Sequence, residues 1–193
     1  WLARRYAEQG MAREALATEL RRFKTAPGLA TFQAVQNAAT MPGQPPEVWP
    51  ATRSTLLETL EAKTALGQLL EIALHEGRIA DAIALLKRME QGRARPRIDG
   101  WWSVAEYQLR VGEAAETEFP DEAIRLYTLL AEREIEERNR SHYQVAARHL
   151  ARVKHLQERQ GRREAWRSFI TDLRERHKRL RALKEELDAL DLR

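Results

Sequence analysis

At 193 residues the chain is long enough to bury a sizeable core, and 43% hydrophobic with 32% charged residues reads as globular and soluble rather than membrane-spanning or low-complexity. It has no cysteine, which excludes disulfides, thiolate nucleophiles and cysteine-based zinc sites within it and fits a cytoplasmic setting. The net charge of +4 is uneven: residues 133–193 carry 17 Lys/Arg against 11 Asp/Glu, while the first 132 carry 16 against 18, a mild C-terminal excess that permits nucleic-acid contact without demanding it.

The opening "WLARRYAEQG" is amphipathic, unlike a secretory leader, and the chain starts on Trp1 without an initiator Met, which suggests a piece of a longer protein. Apolar runs such as "AIALL" are too short to span a membrane. Apolar residues recur at three and four throughout, the helical period, and strand signals are nearly absent. "LARRYAEQGMAREALATEL" (2–20) reads as helix, Gly10, helix, with Ala15 five residues on. Breaks follow at "TAPG" (25–28) and "MPGQPPEVWP" (41–50), the latter a candidate internal joint at 40–50. Trp49 stands before Pro50 at a helix entry and is left open between core and binding anchor.

"LLEIALHEGRIADAIALL" (69–86) repeats the first pattern, with Gly77 and Ala82. Glycine ends one helix in a left-handed turn, and alanine lets the next helix approach closely. Glu71, His75 and Glu76 are neighbours that could do acid–base work in a pocket; the preferred reading is that His75 caps the last carbonyls before Gly77. "GRARPRIDG" (92–100) reads as a charged linker, with a mobile basic loop as the alternative. Trp101 and Trp102 open the next helix, and Trp102 is assigned to the core. "WWSVAEYQLRVG" (101–112) pairs with "PDEAIRLYTLLAERE" (120–134), whose Ala123 and Tyr127 take the small and aromatic positions of a tetratricopeptide second helix.

"RNRSHYQVAARHLARVKHLQERQG" (138–161) begins with a Ser141–Gln144 capping-box pattern. Tyr143, Ala146, Ala147, Leu150 and Val153 form a packing stripe. Arg148, Arg152, His155 and Arg159 form a basic one. A solvated face is the preferred reading of the basic stripe, phosphate contact the second and protein docking the third. His142 and His149 are two turns apart with no carboxylate at metal spacing, so a zinc site is not expected. Gly161 turns the chain into a last pair containing Trp166, assigned to the core. The segment 178–191 reads as a helix that caps the stack, with pairing to another chain as the alternative; Leu173, Leu180, Leu183, Leu187 and Leu190 mark its near-heptad spacing. No G-x-S-x-G, P-loop or G-x-G-x-x-G occurs, so no enzyme, no cofactor in this chain and no small-molecule substrate are expected.

These features predict a single all-α domain over 1–193, a right-handed, tetratricopeptide-like solenoid of about nine or ten helical elements built from hairpins. "LLEIALHEGRIADAIALLKR", "PDEAIRLYTLLAEREIEERNRSHYQVAARHLARVKHL" and "AWRSFITDLRERHKRLRALKEEL", in that order, resemble the C-terminal helical region of bacterial SWIM zinc-finger proteins over roughly residues 49 to 190. The resemblance rests on the "EG…A" turn, the helix start at Arg138, Arg140, Tyr143 and Ala146, and the helix at 166–170. It implies a parent protein whose zinc is held elsewhere by a C-x-C…C-x-H motif, with this chain as a helical platform. A protein partner is the leading expectation. Nucleic acid held by Arg148, Arg152, Arg159, Lys178, Arg179 and Arg181 is the second. Neutralisation of these cations by Glu134, Glu137, Glu158 and Glu175 would favour the first.

Overall fold

A computed structural model describes residues 10–92 and 103–191, with the side chain of Asp191 left aside. Ten helices and no strand occur among the described residues, so the chain is all-α. It divides after residue 102 into two compact units. The proposed joint at 40–50 is a turn between helices of the first unit. The helix read over residues 2–9, the 93–100 loop, Trp101 and Trp102 lie outside the described residues.

The first unit contains α1 (Ala12–Thr25), α2 (Leu29–Ala39), α3 (Val48–Ala62), α4 (Leu66–His75) and α5 (Ile79–Gln91), each packed on the next in sequence except that α2 also meets α4. Its core joins Phe23, Phe32, Val35, Leu56, Leu60 and Ile72. Trp49 resolves as a packing residue: it is half-buried with its ring edge-on to Phe32 at 5.3 Å. Ala15 and Ala82 are fully buried, as the close-approach argument requires. Gly77 sits at φ +69°, with Arg78 N–H donating to Ala73 C=O and Gly77 N–H to Leu74 C=O, a Schellman turn. Thr64 closes α3 by the same two-bond pattern at φ +54°, a left-handed position held by a β-branched residue.

The second unit contains α6 (Val104–Ala115), α7 (Pro120–Glu136), α8 (Arg140–Arg159), α9 (Arg163–Arg176) and α10 (Arg181–Asp191). α7 lies between α6 and α8, and α8 also carries α9 and α10. Ser103 and Glu106 form a reciprocal capping box, and Pro120 opens α7 where no N–H partner is lost. Gly112 lies inside α6, where an added Cβ would stand 3.5 Å from the Tyr127 ring, an ordinary contact. Gly161 at φ +72° does end α8, again by a Schellman pair. The Ser141–Gln144 cap is corrected: the N-cap is Asn139, whose side chain accepts from His142 N–H, and Ser141 Oγ donates to that same oxygen. Asparagine two residues earlier supplies a better-placed acceptor than serine already inside the helix.

Ala123, Tyr127, Tyr143, Ala146, Leu150, Val153 and Trp166 are buried in this unit's core. α10 starts at Arg181, three residues later than the 178–191 reading, and its Leu183, Leu187 and Leu190 face inward. Leu180 is only half-buried, because it precedes the helix. α10 covers the flank of α8: Lys154 Nζ donates to Leu190 C=O at 2.7 Å, and Gln144 Nε2 reaches Glu186. That is the geometry of a covering helix within this unit.

Candidate functional site

A polar cluster of the second unit gathers where α6 ends and α7 and α8 pass. Tyr127 is the fully buried aromatic of α7, but its hydroxyl reaches the edge of the packing and donates to Glu116 Oε1 at 2.7 Å. Arg152, from the middle of α8, donates to the same oxygen and to the Tyr127 hydroxyl at 3.1 Å. Its guanidinium also stands 5.5 Å from the Tyr127 ring centre and pairs with Glu113 at 3.4 Å. His149 stacks on Tyr127 from one turn back, ring centres 6.1 Å apart. Arg159 donates to the Glu116 main-chain carbonyl at 3.4 Å.

The electrostatics follow from burial and these bonds. Burial pushes the Glu116 carboxyl upward, but the hydrogen bonds from Tyr127 and Arg152, with Arg152's charge, outweigh it and hold the carboxyl below its usual value. Burial first, then the ionised Glu116, pushes the Tyr127 phenol far above its ordinary value. Burial lowers His149 against the opposing pull of Glu134. At neutral pH the cluster therefore holds an ionised carboxylate, a charged guanidinium and a neutral phenol. Its chemistry is that of a brace.

Arg148, Arg152, His155 and Arg159 are all exposed along α8, as a solvated face requires, and two of them also bond within the fold. Arg152 and Arg159 point into the Glu116 cluster, and the carboxylates that hold Arg152 are Glu113 and Glu116, which the sequence reading did not nominate. Of the four nominated, Glu134 takes His142 and Glu175 takes Lys178 at 2.6 Å. Arg148 is exposed and makes no ion pair among the described residues. It lines a groove of about 630 Å³ between α8 and α10, floored by Ala147, Ala151 and Ala189 and rimmed by His155, Glu158 and Glu186.

The other three nominated cations stand elsewhere. Lys178 and Arg179 lie in the turn after α9, and Arg181 opens α10 with an exposed pair to Glu185 at 3.6 Å. Arg176 at this corner pairs with Glu132 near the C-terminal end of α7, whereas Asp121, at the other end of α7, holds Arg162. Eleven residues of helix, roughly 16 Å at 1.5 Å per residue, separate those two anchor points. The six nominated cations thus fall into a brace, a groove and a corner.

In the first unit His75 does not cap carbonyls. Its ring meets the Gln33 amide nitrogen at 3.3 Å, and the Gly77 turn satisfies the helix end by main-chain bonds alone. Glu76 receives a two-pronged bond from Arg53, at 2.6 and 2.7 Å, and a third from Arg78. The Arg53 bond is the largest influence and holds the Glu76 carboxyl below its ordinary value. A side chain at position 53 has no sequence signal pointing to 76; only packing of α3 against α4 brings them together. Among the described residues no three His, Asp or Glu side chains gather as a metal set, and His142 is engaged by Glu134 and His149 by Tyr127. With no cysteine in the sequence, the zinc of the resembled family finds no ligand set in these residues. No helix of the described residues is long and apolar enough to cross a membrane. No protein-family model, curated protein or solved structure matches the chain.

Proposed function

We propose that this chain is a non-catalytic helical scaffold, a protein-interaction platform of a SWIM zinc-finger-like protein. One observation carries the reading: Arg152, at the centre of the α8 cations, is paired within the fold with Glu113 and Glu116, and Arg159 bonds the Glu116 main-chain carbonyl. The α8–α10 groove supports it. Its alanine floor lets a partner helix lie close, and its rim offers Arg148 on one side of the charge balance and Glu158 and Glu186 on the other. Such a mixed rim suits a partner segment that carries both signs.

The test is site-specific photocrosslinking in cells with a benzophenone side chain placed at Ala151 or Ala189, and at exposed Ala84 of α5 as control. The reading predicts one discrete protein adduct from the groove positions, absent from Ala84, and loss of binding between the purified pair on A151E. The same adducts from all three positions, or none, would refute it.

A second reading, a nucleic-acid-binding accessory domain, is favoured by a different observation: residues 174–184, around the α9–α10 turn, contain six Lys/Arg and one Glu.

A further inference from the structure

Resting on that second reading, we infer that the α9–α10 corner is a docking surface for the phosphate backbone of a nucleic acid. The argument starts from which cations are free to act. Arg174 is tied to Asp188 and to the Leu187 carbonyl, and Arg176 to Asp172 and Glu132. These two hold the corner together. Arg179 and Lys184 are exposed and form no ion pair among the described residues. Lys178 and Arg181 pair only with near neighbours in sequence, Glu175 and Glu185, and are 66% and 94% exposed. Exposed pairs of this kind contribute little, so a phosphate can take the place of the carboxylate at small cost. Four cations on long stems are thus available around one turn.

The corner is also concave. A hollow of about 500 Å³ lies between α9 and α10, lined by Thr171, Arg174, Glu175, His177, Lys178 and Lys184. Its two leucines, Leu183 and Leu187, are buried to within 1% of full burial. A docked peptide normally gains its affinity from an apolar or aromatic anchor, and no large apolar side chain is fully exposed on this surface. Met11, in the other unit, is the exposed large apolar side chain among the described residues. The long exposed side chains of the corner are mostly cations, and charge on flexible stems reads a repeating phosphate without reading bases. The corner is also separate from the Glu116 brace, so binding here would leave the helix packing untouched.

The experiment is fluorescence anisotropy of the whole chain with labelled single-stranded and duplex DNA across a salt series, beside a carboxylate-rich peptide of equal charge. Four phosphate contacts predict a slope of log affinity on log salt of about −3 to −4 for duplex. R179E/K184E should weaken binding at least about tenfold at about 50 mM salt and reduce the slope by about 2, with helical circular dichroism unchanged. R167E, on α9 beside Glu164, should bind as the parent does. DNA binding that R179E/K184E leaves intact would keep the nucleic-acid reading and overturn the corner. No binding to either DNA at about 50 mM salt would overturn both. Equal affinity for the acidic peptide would overturn the assignment to nucleic acid.

Discussion

Tyr127 and Glu116 share a proton donor and an acceptor 2.7 Å apart, joining the buried middle of the second unit to the loop between α6 and α7. The tyrosine ring is held by packing, so its hydroxyl has a fixed position and the loop is pinned to it. Y127F keeps the ring and deletes the bond. It should lower the stability of the chain by about 1 kcal/mol, the usual net worth of such a bond to a charged acceptor being slightly more and the remaining Arg152 contact recovering part of it. The urea midpoint of the full chain, followed by helical circular dichroism, checks this; an unchanged midpoint would remove the pin.

The Glu116 carboxyl is held below its ordinary value in the folded chain, so folding favours its ionised form. The unfolded chain binds more protons at mildly acid pH, and the contribution of Glu116 is complete above about pH 4.3 and lost as pH falls through the folded value. E116Q should therefore be less stable than the parent at pH 6, and the gap should close as pH falls. A gap that persists unchanged at pH 3 would contradict the ionised brace.

His149 has the opposite chemistry and the same sign. Burial holds it below about 6.5, so the folded state prefers the neutral ring. Stability is complete above that pH and declines as pH falls towards the folded value, because the unfolded chain takes up the proton first. H149F keeps an aromatic against Tyr127 and removes the proton site. The parent should lose stability between pH 7 and 5 relative to H149F, and parallel curves would contradict the burial argument.

The glycines separate two roles by one substitution each. In Gly112 the added methyl meets Tyr127 and Leu126 at 3.5 and 3.6 Å, ordinary contact, so G112A should stabilise by about 0.5–1 kcal/mol through helix propensity. At Gly77 nothing lies within 4 Å, yet φ is +69°, and G77A should destabilise by about 1 kcal/mol from backbone strain alone. Thermal melts of the two variants should move in opposite directions.

The helix pattern was legible because it depends on spacing within one segment. The packing faces of α8 and α10, the buried Ala15, Ala82 and Ala123, and the Gly77 and Gly161 turns all follow from local periodicity and φ. The charge partners were not legible, because they cross between elements. Arg152 reads as part of a basic stripe until α6 delivers Glu113 and Glu116 beside it, 36 residues or more away in sequence. Gly112 lies inside α6, whereas Gly77 and Gly161 end helices, and the residue type alone does not separate the two settings. Asn139 and Ser141 compete for one cap, and only the backbone geometry of the start decides between them.

The claim at the centre of this account is that α8 spends Arg152 on the fold. A double-mutant cycle of E116A and R152A in the full chain tests it most directly, read both by urea unfolding and by duplex-DNA anisotropy. The account predicts a coupling of about 1 kcal/mol between the two residues and, for R152A, an unchanged DNA affinity. Coupling below about 0.3 kcal/mol, within the additivity expected of independent sites, together with lost DNA binding in R152A, would return Arg152 to the ligand and contradict the brace.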